Sequence, residues 1–172
     1  RPEGQELLTR LITLPGDDAG MFLTNFPAKG WLSYDRLKER REDLIYLNLV
    51  GDRHGRGALD YTVNCKVGFP SITGIGKSGE MPPLNNPLPA WDVITGQQIA
   101  LGMLAAERHR TRTGQGQLVR ITLADVALAT LGNLGYIAEM MINGEQREGI
   151  GNYIFGTYGR DFECLDGERV MV

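Results

Sequence analysis

The 172-residue sequence predicts an α/β fold in which a parallel sheet is flanked by helices. Three observations predict it. Short continuous apolar runs, of which Leu44-Ile45-Tyr46-Leu47-Asn48-Leu49-Val50 is the clearest, read as strands buried on both faces. Segments with helical apolar spacing alternate with those runs. Polar or glycine-containing turns follow two of them, at Asn25-Phe26 and Gly51-Asp52, where open parallel sheets form a ligand crevice beyond the strand carboxyl ends.

The elements follow in order. Glu6 to Ile12 places Leu7, Leu8, Leu11 and Ile12 at helical spacing, Pro15-Gly16 closes the segment, and Met21-Phe22-Leu23 resumes as a short strand. Ser33 stands at an N-cap position, Leu37 and Leu44 supply an apolar stripe, and Leu44 to Val50 is the buried strand. Gly51 to Pro89, with Gly74-Ile75-Gly76 and Pro82-Pro83, reads as a long irregular excursion of the kind that is usually functional. Asp92 to Arg110 is the longest helical pattern. Ile94, Ile99, Leu101, Met103, Leu104 and Ala105 form its apolar body, Glu107-Arg108-His109-Arg110 a polar exit, and Gly114 its end. Gly96 and Gly102 within it cost about 1 kcal/mol each relative to Ala, which points to close approach of backbone or ligand. Gln117 to Leu123 alternates as a strand, Asp125 caps a second long helix through Met141, and Phe162 to Val172 is a hairpin turning at Asp166-Gly167.

Composition narrows the function. With 42% apolar and 23% charged residues the chain can bury one sizeable core, and a single domain is the default. The net charge of −3 comes without a long run of like charges, so no nucleic-acid groove is expected and the partner is a small molecule. Cys65 and Cys164 lack metal-ligand spacing and form no disulfide framework, which fits a reducing cytoplasm. No basic-then-apolar leader pattern is read in these residues and no apolar run approaches the roughly 20 residues that span a bilayer; the expectation is no membrane partner. Arg1-Pro2-Glu3-Gly4 already reads as a helix start and Arg169 to Val172 stops within a strand pattern; the expectation is further sequence on both sides.

Asp92 admits two readings. As an N-cap its carboxylate accepts free amides of the first helical turn and favours the positive end of the helix dipole. The same setting keeps a carboxylate ionised beside a Gly- and Pro-rich crevice, which suits an acyl-accepting nucleophile. Spacing alone leaves both open.

The run Trp91-Asp92-Val93-Ile94-Thr95-Gly96, continuing through Gly102 to Ala106 and followed by Thr113-Gly114-Gln115-Gly116-Gln117, resembles the core of class III coenzyme A transferases (CaiB/BaiF type). The likeness extends to Asn25-Phe26, Leu44-Ile45, Gly51, Gly151-Asn152 and Asp166-Gly167. It implies a Rossmann-like large domain, of which residues 1–172 are a part, with an N-terminal strand region and a smaller C-terminal domain beyond them. It also implies an interlocked homodimer, an acyl-CoA thioester as substrate, and coenzyme A present as part of that substrate with no tightly bound cofactor and no metal.

The resemblance assigns roles residue by residue. Asp92 is the catalytic carboxylate, passing through an acyl anhydride and an aspartyl-CoA thioester. Asn25 and Phe26 match the family's coenzyme-A-contacting turn, the alternative being a strand-end cap and a core aromatic. Lys29 is read as a phosphate partner from its charge beside that turn, since the basic residue some members carry a few positions on has no counterpart in this shorter loop. Asp60 and Tyr61 match a segment beside the nucleotide and acyl pocket, or are surface and packing residues. Arg160 pairs with the free carboxylate of a dicarboxylic substrate, or is a solvated hairpin arginine. Racemases of the family place a His before an Asp where Leu59-Asp60 stands here, and Leu59 relays no proton, so racemisation is disfavoured and His54 is a loop residue. The runs Thr24 to Ala28, Gly30 to Asp35, Asp60 to Asn64, Leu88 to Asp92 and Gly159 to Glu163 resemble a subgroup that moves coenzyme A between the two carboxyls of one dicarboxylic acid. The alternatives are transfer between two different acids, or a non-catalytic binding module.

Overall fold

The computed structural model describes residues 1–76, 82–151, 153 and 159–172, with Ile75 and Ile150 by backbone alone. In chain order the first elements are α1 (Pro2–Ile12), β1 (Met21–Thr24), a 3-10 turn (Gly30–Leu32), α2 (Tyr34–Lys38), β2 (Ile45–Val50), α3 (Asp60–Lys66), α4 (Pro70–Thr73) and β3 (Ile75–Gly76). They are followed by α5 (Ala90–Thr113), β4 (Gln117–Thr122), α6 (Leu123–Asn133), α7 (Tyr136–Asn143), β5 (Gly149–Ile150), β6 (Asp161–Glu163) and β7 (Arg169–Met171). The elements divide into two units, residues 1–59 with 91–126 and residues 60–90 with 127–172.

The first unit is built on a three-stranded parallel sheet of order β1-β2-β4. Alternation along β2 turns its side chains to opposite faces, and both faces are covered. On one, Phe22, Tyr46 and Leu118 stand in one register row and pack with Ile12, Leu37, Leu44, Leu32 and Tyr34 from the α1 and α2 side. The Phe22 and Tyr46 rings meet edge to face at 5.2 Å. On the other face α5 lies so close that a Cβ on Gly102 would stand 3.3 Å from Ile121, 3.6 Å from Leu47 and 3.7 Å from Val119. Each large side chain fully buried here contributes about 1.5–3 kcal/mol.

Arg110 corrects the polar exit expected for this helix. It is 7% exposed. Its Nη1 donates to the carbonyls of Ala19 (2.9 Å) and Gly20 (3.1 Å), and its Nη2 to that of Asp17 (2.9 Å), all just ahead of β1. The Asp43 carboxylate, just ahead of β2, lies 3.8 Å away. Charge at a helix end looks solvated in sequence; here the buried guanidinium spends its donors on loop carbonyls, sharing that of Gly20 with the Ile45 amide.

In the second unit the excursion predicted across 51–89 contains α3 and α4. Val63 and Asn64 are buried on α3, Asn64 Nδ2 donates to Asn85 Oδ1 at 2.6 Å, and the Leu84 amide donates to the Pro70 carbonyl at 3.1 Å. Tertiary packing overrides the Gly and Pro content there. β3 and β5 form a short antiparallel ladder, and β6 and β7 form the expected hairpin, with Gly167 at φ 82° in its turn.

The helix expected from Asp125 to Met141 is two helices. α6 begins at Leu123, and the Thr122 hydroxyl, not Asp125, does the capping by accepting the Asp125 amide at 3.0 Å. The break falls at Leu134-Gly135, where Gly135 is left-handed at φ 80°. Asn152, one of the sequence markers, lies outside the described residues. No helix among the described residues is long and apolar enough to cross a membrane.

Candidate active site

The direction of α5 follows from its two anchors. Arg110 ties the end of the helix to the amino edge of the sheet, and Gly102 packs over the middle of β2 and β4. Asp92 therefore points the other way. At about 1.5 Å of rise per residue it lies about 15 Å along the axis from Gly102. The strands run only about 10 Å from Leu47 and Val119 to their carboxyl ends. Asp92 thus stands just beyond the carboxyl edge, where open parallel sheets bind ligands.

Asp92 is not the N-cap expected from spacing. α5 begins at Ala90, because buried Trp91 (3% exposed) already belongs to the helix, so Asp92 is an exposed residue of the first turn. It keeps the favourable end of the dipole of a 24-residue helix.

The β1 exit reaches the same edge, since the three strands are parallel. Buried Asn48 holds it by donating to the carbonyls of Thr24 (3.1 Å) and Phe26 (3.3 Å), while the Thr24 hydroxyl accepts the Phe26 amide at 3.0 Å. Thr24 is thus the strand-end cap, and Phe26, 70% exposed, is no core aromatic. Asn25 and Lys29 are exposed beside it. The structure brings Asp92, Asn25 and Phe26 to one edge of the first unit. Asp60, Tyr61 and Arg160 belong to the second. Asp60 and exposed Tyr61 open α3, and Arg160 is stacked on Tyr153 (5.3 Å) and Phe162 (4.6 Å), a cation-π setting rather than a fully solvated one.

Two features of the first unit were not legible in the sequence. One is a cavity of about 720 Å³ whose lining includes Gln5, Glu6, Trp31, Arg36 and Arg40. Arg40 grips Glu6 with two 3.0 Å bonds and Arg10 adds a third at 2.8 Å. The Arg40 and Arg10 hydrogen bonds hold the Glu6 carboxyl at about 2. The run Gly30 to Asp35 carried a signal here, but only as a marker of resemblance.

The other is the loop after β2, the central strand. Asp52 is 6% exposed; its Oδ1 accepts the amides of His54 (2.9 Å) and Arg56 (3.1 Å), and its Oδ2 accepts Arg56 Nε at 2.6 Å. Burial alone would raise this carboxyl, and those hydrogen bonds overturn it, holding the group at about 2. The loop returns so tightly over Gly51 that a Cβ there would sit 2.3 Å from the Ala58 nitrogen and the Arg56 oxygen. Arg53 Nη2 donates to Asp125 Oδ1 at 2.8 Å, tying the loop to the first turn of α6.

The first unit is a parallel α/β unit with an exposed aspartate in the first turn of its longest helix, and the chain matches CoA-transferase family III over residues 1–172 and belongs to that family. It is 61% identical over 171 residues to 2-methylfumaryl-CoA isomerase of Chloroflexus aurantiacus, covering 99% of this chain and 41% of that protein. It is 33% identical over 141 residues to succinate–glutarate CoA-transferase of Agrobacterium fabrum, covering 77% of this chain and 34% of that one. Its fold is similar to the crystal structure of a CAIB/BAIF family protein from Brucella suis, with a TM-score of 0.80 at 25% identity over 97% of this chain and 44% of the other. The chain spans about two fifths of the length of the first of these relatives.

Proposed function

We propose that this chain is part of the large domain of a coenzyme A transferase that moves coenzyme A between the two carboxyls of mesaconyl-CoA, with Asp92 as nucleophile. The observation that carries the reading is the 61% identity to 2-methylfumaryl-CoA isomerase across 99% of the chain. The position of Asp92 beyond the carboxyl edge supports it.

In this reading an Asp92 oxygen attacks the thioester carbonyl, the C–S bond breaks, and coenzyme A leaves as thiolate from a mixed anhydride. The thiolate attacks the Asp92 side-chain carbonyl, breaking the anhydride C–O bond to give an aspartyl-CoA thioester and the free dicarboxylate. That acid stays bound and attacks with its other carboxylate, so the same two steps run backwards at the new end and restore the Asp92 carboxylate. Retention keeps the transfer intramolecular. Asn25, Phe26 and Lys29 line the coenzyme A path on the first unit, where Trp31 and Arg36 offer a flat ring and a cation to a nucleotide end. Asp60, Tyr61 and Arg160 contribute from the second. A homodimer fits the apolar side chains left exposed on α5 and α7, among them Leu104 (65%), Met141 (80%) and Ile142 (82%).

The test is incubation of the protein with mesaconyl-C1-CoA and no acceptor acid, followed by mass spectrometry. An Asp92 adduct together with C4 thioester is expected. An adduct without that product moves the reading to transfer between two acids, which the likeness to succinate–glutarate CoA-transferase favours as second choice; a folded protein forming neither refutes Asp92 as nucleophile.

A further inference from the structure

The dicarboxylic relatives raise a question that Asp92 does not answer. Succinate, glutarate and 2-methylfumarate each carry a second carboxylate, and coenzyme A carries phosphates. A site that selects such ligands needs a cation with a defined direction. In the first unit most candidate arginines are already engaged: Arg40 by Glu6, Arg41 by Asp43, Arg53 by Asp125 and Arg110 by loop carbonyls.

Arg56 differs. Its Nε is bound by Asp52 at 2.6 Å, whereas its Nη1 and Nη2 make no hydrogen bond among the described residues, and its side chain is 68% exposed. One edge of the guanidinium is thus fixed by a buried carboxylate and the other is presented outward. Asp52 in turn is fixed by two backbone amides of the same loop, and the loop is closed over Gly51. This pre-orientation lowers the ordering cost of catching an oxyanion with two parallel N–H donors. The loop leaves the middle strand at the carboxyl edge, the edge beyond which Asp92 stands.

We propose that Arg56, held in direction by Asp52, binds an oxyanion of the acyl-CoA, either the free carboxylate of the acyl group or a phosphate of coenzyme A. The proposal rests on the coenzyme A reading above. Asp52 is a positioning residue in it, acting through Arg56.

Calorimetric titration of the whole chain with succinyl-CoA, with butyryl-CoA, which lacks the second carboxylate, and with the 3′-dephospho form of each tests this. Arg56→Gln is expected to weaken succinyl-CoA binding by about 10- to 100-fold. If butyryl-CoA is nearly unaffected, the anion is the carboxylate; if both weaken alike and the effect vanishes with the 3′-dephospho forms, it is the phosphate. Unchanged affinity for all four overturns the proposal. Asp52→Asn keeps an acceptor for the two amides but removes the charged partner of Nε. It should reproduce the loss for the same probe in a variant that still melts cooperatively, at a lower temperature than wild type because the ionised Asp52 contacts are gone, and normal affinity in that folded variant would refute the positioning role. A loss of affinity in Arg56→Gln together with no Asp92 adduct in wild-type protein would sink the nucleophile reading and leave the anion site standing.

Discussion

At the scale of single residues, Asp92 and Thr95 lie one turn apart on α5 and have opposite surroundings. Asp92 is exposed, so Asp92→Asn should cost less than about 1 kcal/mol of stability. On the proposed mechanism the same change removes the nucleophile, and coenzyme A transfer should fall by at least about 1,000-fold with thioester binding kept. Rates and binding constants measured on one preparation check both. Thr95 is 1% exposed, and its hydroxyl has no hydrogen-bond partner among the described residues. Thr95→Val removes an orphaned polar atom at nearly constant shape, so it should stabilise by about 1 kcal/mol, a rise of about 2–4 °C in melting temperature. A lower melting temperature would show that the hydroxyl is satisfied.

At the scale of elements, α5 is the part whose placement matters most. Arg110→Ala would remove the guanidinium bonds to the Asp17, Ala19 and Gly20 carbonyls, leaving Gly20 only its bond from the Ile45 amide, and unfasten the amino-edge end of the helix. A loss of about 3 kcal/mol is expected, read from the urea midpoint at constant slope. The two helix glycines separate cleanly. Gly102 is small because the sheet lies against it, as its cost in propensity suggested, whereas a Cβ on Gly96 meets nothing within 4 Å. Gly96→Ala should therefore stabilise by about 0.5–1 kcal/mol. If ligand or partner approaches that face, the same substitution will also lower acyl-CoA affinity, and titration decides it.

At the scale of the molecule, acid stability is set by carboxylates with lowered pKa. Asp52 and Glu6 lie at about 2, and Asp43, Asp125 and Asp161 are lowered by the hydrogen bonds they accept from Arg41, Arg53 and Arg169. In the unfolded chain these groups titrate near about 4. As pH falls the unfolded chain takes up protons first, so the stability these groups supply is intact above about pH 4 and is lost as pH drops through about 2. The melting temperature should be flat from pH 7 to 5 and fall steeply below 4. Asp52→Asn should have a shallower fall in that window; an unchanged slope would refute the role of Asp52.

Much of this was legible in the sequence, for a physical reason. Burial on both faces writes itself as a continuous apolar run, so Ile45 to Val50 declared the central parallel strand, and the long pattern from Asp92 declared α5 with its aspartate at the amino end. Those signals are local. What only the tertiary structure decided was the surroundings of charged and small residues, which depend on groups distant in the chain. Arg110 is a buried clamp because the fold brings the Asp17, Ala19 and Gly20 carbonyls around its guanidinium. Asp60 to Lys66 is helical because Val63 and Asn64 are buried. Asp52 is a buried anchor because the loop folds back over Gly51, and pairing of that kind leaves no periodicity to read.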